Sequence, residues 1–330
     1  MNKSILDWRL ILRENFTRLD KLADFLELDT SQRELLLQNP RFVLNVPKRL
    51  ASKMAKGTLD DPLFRQFVPM KEETFVNDQF VADPVGDAGF CRASKLLHKY
   101  QGRALLICTS ACVVHCRYCF RQNFDYETQD KSFAEELAII AEDSSIREII
   151  LSGGDPLSLS DAALDKLLGN LASIPHIARV RFHSRFPVGI PERINQAFID
   201  ILQKYRFTYW FVVHINHVRE FDEDVAAALK KLRMIGVPVL NQSVLLTGVN
   251  DSVDAQKDLC EALIDEGILP YYLHQLDRVQ GAMHFEVEES KGRQIIEDLA
   301  KRLPGYGVPK YVREISGQPN KTPLIGIRGN

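Results

Sequence analysis

No long uninterrupted apolar run opens this chain. The first sixteen residues, MNKSILDWRLILRENF, are broken by charged side chains at Asp7, Arg9, Arg13 and Glu14. This excludes a secretory signal or a membrane span at that end. The chain also lacks an excess of either charge, since 42 Lys and Arg residues face 44 Asp and Glu residues and leave a net charge of -2. We therefore expect a cytoplasmic protein that binds neither membranes nor nucleic acids.

Cysteine is scarce as well. There are six cysteines in 330 residues, and three of them fall within eight positions. So few thiols in so long a chain do not form a disulfide framework, and close spacing indicates metal or redox chemistry instead. Cys91, Cys108 and Cys260 stand apart from the cluster. Each of these three is expected to be a small, partly buried apolar residue.

The pattern of apolar residues changes along the chain. Residues 1–95 are rich in Leu, Lys, Glu and Arg at helix-like spacing, which predicts a helical N-terminal region without a convincing strand. From about residue 104, short apolar runs alternate with amphipathic stretches. This alternation is typical of an α/β fold with a parallel sheet, either a barrel or a doubly wound sheet. Six strands are predicted, at 104–109, 147–152, 179–184, 209–214, 237–246 and 270–276.

Helix signals lie between these strands. Ser132 and Glu135 have the spacing of a capping box, which predicts that a helix begins there. Gly236 and Gly267 stand where two other helices would end. Two segments have an apolar face that would pack on the sheet. The residues of those faces are Ala163, Leu164, Leu167, Leu168 and Leu171, and then Val225, Leu229 and Leu232.

The cysteine cluster, TSACVVHCRYCFRQ, directly follows the first predicted strand. This puts Cys112, Cys116 and Cys119 at the carboxyl edge of the sheet, where parallel folds bind their ligands. Three thiolates bind three irons of a cubane cluster and leave the fourth iron open for a ligand. A zinc site that adds His115, or an inert loop, is the alternative. Structural zinc motifs normally draw paired ligands from a second, distant knuckle, and the sequence has none.

The spacing of the three cysteines, with an aromatic residue before the last, resembles the hallmark of the radical S-adenosylmethionine superfamily. LSGGDPL, HSRFPVGIPERI, HINHVRE, NQSVLLTGVND and YYLHQLD occur in the order and spacing of the lysine 2,3-aminomutase family. The resemblance covers roughly residues 90–325 and is strongest to bacterial members that make β-lysine for elongation factor P. It implies an α/β fold whose central part, at 96–280, is a partial (β/α)6 TIM-like barrel. The helical region at 1–95 precedes this barrel, and a C-terminal segment at 281–330, which carries Lys321, follows it.

The resemblance also implies a chemistry. It identifies an isomerase that converts (S)-α-lysine into (R)-β-lysine with a [4Fe-4S] cluster, S-adenosylmethionine and pyridoxal 5′-phosphate. In this family a 5′-deoxyadenosyl radical takes hydrogen from the substrate, and pyridoxal phosphate spreads the unpaired electron. An external reductant would supply the electron. A separate ligase would attach the β-lysine to elongation factor P.

Cofactor-binding residues follow from the same resemblance. Lys321, in ISGQPNKTPL, matches the family lysine that forms a Schiff base with pyridoxal phosphate. The segments HKYQGR and HSRFP match places where the phosphate is bound, and an arginine fork suits a phosphate. The residues nominated for the phosphate are Lys99, Tyr100 and Arg185. Those nominated for S-adenosylmethionine are Gly153, Gly154, Asp155, His214 and Gln242.

Each nominated residue also has a plainer structural explanation. Taken alone, Lys321 is a solvated tail lysine, and the cationic phosphate candidates are partners in surface salt bridges. The Gly-Gly-Asp tripeptide is a common turn. His214 and Gln242 are equally typical of hydrogen-bonded polar residues inside a barrel.

Substrate recognition is implied at three positions. Arg121 matches the arginine that holds the α-carboxylate as a bidentate pair. Asp277 and Glu314 match two carboxylates that pair with the distant ammonium of lysine. Glu314 stands where the free-lysine enzymes have Asp, and its added methylene changes the reach of the carboxylate. These acids disfavour a substrate with an acidic tail.

The end of the chain departs from the family pattern. Catabolic lysine aminomutases continue into a tail whose cysteines bind zinc and help assemble a tetramer, whereas this chain stops at Asn330. We therefore expect Cys260 to have no zinc partners and the assembly to be a homodimer. Two alternatives stay open. One is a catabolic or osmolyte-producing aminomutase acting on lysine or glutamate, and the other is a non-catalytic iron-sulfur interaction protein.

Overall fold

Short helices form the start of the fold. The computed structural model describes residues 7–126 and 132–324. Three of the first five helices begin at an aspartate, Asp7, Asp29 or Asp61, whose carboxylate accepts a hydrogen bond from a backbone N–H of the first turn. The predicted helical region is confirmed up to Phe67, but the expectation of no strand in residues 1–95 is wrong, because Cys91–Ala93 pairs with the following strand. The helices of this region are α1 Trp8–Arg13, α2 Leu19–Phe25, α3 Thr30–Glu34, α4 Lys48–Lys53 and α5 Pro62–Phe67.

One curved sheet of ten strands in sequential order follows. Strands β3 to β9 are parallel, β1 to β3 pair antiparallel, and β10 pairs antiparallel with β9. All six predicted strands are present as β3 to β8, so the partial barrel is confirmed with one further parallel strand. The strands are β1 Cys91–Ala93, β2 Leu96–Tyr100, β3 Arg103–Thr109, β4 Glu148–Gly153, β5 Arg179–Ser184, β6 Thr208–His214, β7 Val239–Val244, β8 Leu269–His274, β9 Lys310–Arg313 and β10 Thr322–Pro323.

Within the described residues, seven helices accompany the parallel strands. They are α6 Ala134–Glu142, α7 Asp161–Ala172, α8 Phe186–Gly189, α9 Gln196–Lys204, α10 Glu223–Met234, α11 Val253–Asp265 and α12 Glu289–Leu299. Short 3₁₀ turns lie at Lys71–Thr74, Asp87–Phe90, Pro156–Ser158, Pro191–Arg193, Val218–Glu220, Met283–Phe285 and Gly305–Gly307. Across residues 7–126 and 132–324, no helix is long and apolar enough to cross a bilayer.

The helix predictions are largely confirmed, with two corrections. The apolar residues of α7 and α10 are buried, but Ala163, in the first turn of α7, is exposed. Gly236 and Gly267 have φ of +80° and +63° directly after α10 and α11, as helix-ending glycines do. The capping box predicted at Ser132 and Glu135 is wrong, because the N-cap of α6 is Phe133 and its side chain makes no capping hydrogen bond.

The N-terminal helices and the barrel share one apolar core. Trp8 of α1 meets Phe186 of α8 edge-on, with ring centroids 5.4 Å apart. Buried residues of α5 and of β3 to β7 belong to the same continuous cluster. Cys108 and Cys260 are buried as predicted, whereas Cys91 is exposed, because it lies on the short edge strand β1. The shared core fixes the N-terminal region against the carboxyl edge of the sheet.

Candidate active site

A cavity of about 940 Å³ runs along the concave face of the sheet. Its wall reaches from the carboxyl edge, where Arg121 and His214 lie, to the amino ends of β3 and β5 at Arg103 and Arg179. Alternate residues of each strand point into it, as the period of a strand requires. Eight of the residues nominated from sequence line this one cavity. They are Lys99, Tyr100, Arg121, His214, Gln242, Asp277, Glu314 and Lys321.

The cysteine loop lies at the carboxyl edge and is held by the N-terminal region. Asn45 Nδ2 donates to the carbonyl oxygen of Cys112 at 2.9 Å. In return, the backbone N–H of His115 donates to the carbonyl oxygen of Asn45 at 3.0 Å. The His115 ring stacks on Phe42, with centroids 4.4 Å apart, and bonds to a backbone carbonyl. The Nδ1 atom of His115 is thus already bonded within the protein and is not free to bind a metal.

Two thiols of this loop, those of Cys112 and Cys119, have a raised pKa. Burial raises the pKa of Cys119 to about 11 and that of Cys112 well above its usual value. Within residues 7–126 and 132–324, no three His, Cys, Asp or Glu side chains converge on a single ion. Cysteines that each take a different iron of a cubane do not need to converge in that way. The three half-buried cysteines therefore fit a cluster whose assembly displaces the protons of Cys112 and Cys119.

The Gly-Gly-Asp turn after β4 packs against the cysteine loop. Gly153 has a φ of +108°, and a Cβ on Gly154 would lie 2.4 Å from the carbonyl oxygen of Ala111. Protein packing therefore explains both glycines without a bound cofactor. The Asp155 carboxylate accepts from Ser184 Oγ at 2.8 Å and from backbone N–H groups. Burial nevertheless raises the pKa of Asp155 to about 6.

Arg185 does not line the cavity. It is 6% exposed, and its guanidinium pairs with Glu220, which is fully buried. The same group donates to Gln66 Oε1 at 2.8 Å, to the Tyr118 hydroxyl and to Cys116 Sγ at 3.4 Å. Its place beside the cysteine loop does not fit the phosphate contact nominated from sequence.

Lys99 and Tyr100 of β2 meet Glu314, which follows β9, across the opening between the two ends of the sheet. Lys99 Nζ donates to Glu314 Oε1 at 2.8 Å, and the Tyr100 hydroxyl donates to the same oxygen. Lys321 Nζ donates to Glu314 Oε2 at 3.2 Å. Burial would raise the pKa of Glu314, but Lys321, Lys99 and Tyr100 together hold it below its usual range. The two nominated phosphate contacts thus bind a carboxylate of the protein itself.

Two further nominated residues lie on the cavity wall. Arg121 pairs with Asp87 at 3.0 Å and donates to Ser152 Oγ at 3.3 Å. Burial raises the pKa of Asp277 to about 7, although Lys321 acts in the opposite direction. A half-buried carboxyl with this pKa is poised to ionise when a cation binds beside it.

His214 and Gln242 are direct neighbours in the register of β6 and β7. His214 Nε2 lies 3.4 Å from His183 Nδ1. Burial lowers the pKa of His214 to about 3 and that of His183 well below its usual value, so both rings are neutral. Gln242 Oε1, His183 Nε2 and His274 Nε2 are buried without a protein hydrogen-bond partner. Such atoms require a ligand or water to satisfy them.

The sequence analysis missed the polar residues in the floor of the cavity. Arg103, Glu148 and Arg179 are register neighbours at the amino ends of β3, β4 and β5. Arg181 pairs with Glu148 at 2.6 Å. The motif RVRFHS contained the signal, because its alternate residues 179, 181 and 183 are polar within a buried strand. Arg103, Glu148 and Arg179 lie at the amino ends of the strands, away from the carboxyl edge where parallel folds bind their ligands.

Comparisons with known proteins agree with this architecture. The radical SAM superfamily model matches residues 106–259. The chain is 42% identical over 323 residues to the L-lysine 2,3-aminomutase of Escherichia coli (strain K12), across 96% of this chain and 94% of that protein. It is 34% identical over 324 residues to the L-lysine 2,3-aminomutase of Clostridium subterminale, across 97% of this chain and 78% of that protein.

A solved structure supports the fold alone. Streptococcus suis SuiB bound to S-adenosylmethionine aligns with a TM-score of 0.50 and 14% identity, over 66% of this chain and 51% of that one. The sequence similarity, which extends over nearly the whole chain, is the stronger finding. The chain therefore belongs to the L-lysine 2,3-aminomutase family, a family of isomerases within the radical SAM superfamily.

Proposed function

We propose that this protein is an L-lysine 2,3-aminomutase that converts (S)-α-lysine into (R)-β-lysine. One observation carries the proposal, namely that Lys321, Arg121, Asp277 and Glu314 line a single cavity. Arg121 suits an α-carboxylate, and the two acids suit the ammonium at the other end of the substrate. Glutamate would bring a second carboxylate against Asp277 and Glu314, which disfavours it as a substrate.

The cysteine loop would hold the iron-sulfur cluster through Cys112, Cys116 and Cys119, and the neighbouring polar residues His214 and Gln242 would contact S-adenosylmethionine. The half-buried cysteines and the absence of a fourth cysteine in the motif support this assignment. When bound, the reduced cluster and S-adenosylmethionine supply a radical that abstracts hydrogen from the substrate. The role of the chain is to exclude water from this site and to hold the lysine beneath it.

Lys321 would bind pyridoxal phosphate through its amine. Its Nζ lies on the cavity wall, 5.8 Å from the centre of the Tyr272 ring and hydrogen-bonded to Glu314. Arg103 and Arg181 would receive the phosphate at the cavity floor, in place of Lys99 and Tyr100. The unpartnered atoms of His183 and His274 are further donors or acceptors for a polar ligand. When bound, the aldehyde of this cofactor supplies the conjugated group through which the amino group migrates.

The proposed reaction is tested by anaerobic reconstitution with iron, sulfide, S-adenosylmethionine, pyridoxal phosphate and a reductant. With lysine as substrate we expect β-lysine and 5′-deoxyadenosine, and with glutamate we expect no β-amino acid. Lys321→Ala is expected to abolish β-lysine formation while the iron content is unchanged. Lys310→Ala is the matched control, because Lys310 lines the same cavity but is exposed. A wild-type protein that binds the cluster and turns over no amino acid would favour a non-catalytic iron-sulfur protein.

We further propose that the β-lysine passes to a cytoplasmic ligase that modifies elongation factor P, and that the enzyme acts as a homodimer with an external reductant. The resemblance to the elongation factor P branch of the family supports this role over a catabolic one. Deleting the gene should leave elongation factor P without β-lysine, and added β-lysine should restore the modification. If the modification persists in the deletion strain, the product has another use.

A further inference from the structure

Arg185 is the centre of a buried polar network beneath the cysteine loop. Gln66 of α5 accepts from its Nη2, and Asn216, just after β6, donates to the Tyr118 hydroxyl at 2.6 Å. Glu220 Oε1 accepts from the Gln66 amide at 3.1 Å and from the backbone N–H of Asn216 at 3.0 Å. Three separate segments of the chain, namely α5, the cysteine loop and the segment after β6, therefore fix the position of one guanidinium. Neither the phosphate of pyridoxal phosphate nor the substrate explains this network.

One contact of Arg185 points to a redox role. Its Nη1 donates to Cys116 Sγ at 3.4 Å. Hydrogen bonds to cluster sulfurs and nearby charge are two of the means by which a protein sets the potential of an iron-sulfur cluster. In a buried site, where the effective dielectric is low, a full positive charge acts strongly. Reduction adds one negative charge to the cluster, so a cationic donor stabilises the reduced form more than the oxidised form.

We propose that Arg185 is a positioning residue that raises the reduction potential of the cluster through its charged hydrogen bond to Cys116. The step is a transfer of one electron, in which the external reductant is oxidised and the cluster is reduced, without a bond being made or broken in the protein. The buried carboxylate of Glu220 holds the guanidinium in place and limits the size of the effect. This inference rests on the proposed cluster at Cys112, Cys116 and Cys119.

Other arginines near the loop lack this contact. Arg117 forms a bidentate pair with Glu73 and donates to the carbonyl oxygen of Phe42. Arg121 is paired with Asp87. Among the described residues, the guanidinium recorded as donating to a cysteine sulfur of the cluster motif is that of Arg185.

The test is a redox titration followed by electron paramagnetic resonance, without substrate, on the reconstituted wild type, Arg185→Met, Arg185→Gln and Arg185→Lys. At a fixed applied potential we expect at least a tenfold fall in the ratio of reduced to oxidised cluster in the two neutral variants, which is a shift of 59 mV for a one-electron couple. Arg185→Lys keeps the charge, so its ratio of reduced to oxidised cluster should lie between that of the neutral variants and that of the wild type. Arg193→Met is the matched control, because Arg193 is as buried but binds Asp161 and backbone oxygens of Leu157 and Leu159.

The outcomes separate this inference from the proposed function. If the wild type takes up no cluster, the proposed function itself fails. If the wild type and a neutral variant hold the cluster with the same midpoint potential, or if Arg193→Met shifts the potential equally, the role of Arg185 is overturned. If both neutral variants fold with wild-type thermal stability but lose the cluster while Arg185→Lys keeps it, Arg185 holds the cluster instead of setting its potential, and the inference is overturned.

Discussion

Asp277 is expected to be about half protonated at pH 7, and largely protonated below it, until the ammonium of lysine binds beside it. Burial raises its pKa from 3.8 to about 7, so ionising it in the empty cavity costs about 4 kcal/mol more than in water. Lysine binds best to the ionised form. Below pH 7, each molecule of lysine that binds must therefore displace the proton of Asp277, and affinity falls about tenfold for each unit of pH.

This dependence can be measured without turnover. In protein loaded with cofactors but given no reductant, calorimetry should show lysine binding about tenfold more weakly at pH 6 than at pH 8. Measurements in two buffers of different ionisation enthalpy should show close to one proton released per lysine at pH 6. His214, with a pKa of about 3, stays neutral throughout this range and does not contribute.

The variant Asp277→Asn supplies the control. It should bind lysine more weakly than the wild type at pH 8 but with little change between pH 6 and pH 8. The reasoning would be refuted if the wild type released no proton at pH 6, or if Asp277→Asn kept the tenfold dependence. Either result would mean that Asp277 is already ionised in the empty cavity.

Three further predictions follow from particular contacts. Asp277→Asn should stabilise the ligand-free protein against urea at pH 8 but not at pH 4, because the folded pKa lies above the unfolded one and stability is lost as pH rises from about 4 to about 7. Glu314→Gln should cost about 3 kcal/mol of unfolding free energy in urea, since it leaves the ammonium of Lys99 without its anion in a site where both side chains are 9% exposed. Gly154→Ala should cost about 1–3 kcal/mol and lower the iron content after reconstitution, because its Cβ would lie 2.4 Å from the carbonyl oxygen of Ala111, and a thermal melt that matches the wild type would contradict this.

The sequence predicted the parts of the fold that have a strong local pattern. Strands β3 to β8 carry buried apolar residues at regular intervals, and the glycines after α10 and α11 have the φ that such positions require. Strand β9, KYVR, and strand β10, TP, carry too few apolar residues to be recognised. They exist because the preceding strands provide an edge on which they pair, which is information that no local window contains.

The candidate site was likewise only partly predictable from the sequence. Motif spacing identified the cysteines and Lys321 as candidates. The cavity lining includes most of the nominated polar residues. The spacing of the motifs could not show which group each basic side chain contacts. Arg185 donates to Cys116 and Lys99 binds Glu314, and both contacts join segments that are far apart in the chain. Side-chain pairing across the fold requires coordinates.

The central claim is that this cavity moves an amino group from C2 to C3 of lysine by radical chemistry. Lysine labelled with ¹⁵N at the α-amino group should be incubated with the reconstituted, reduced protein under anaerobic conditions and analysed by mass spectrometry. The account predicts β-lysine with the label at C3, formed only when S-adenosylmethionine and pyridoxal phosphate are both present. Unchanged α-lysine from a protein that carries an intact cluster and both cofactors would contradict it.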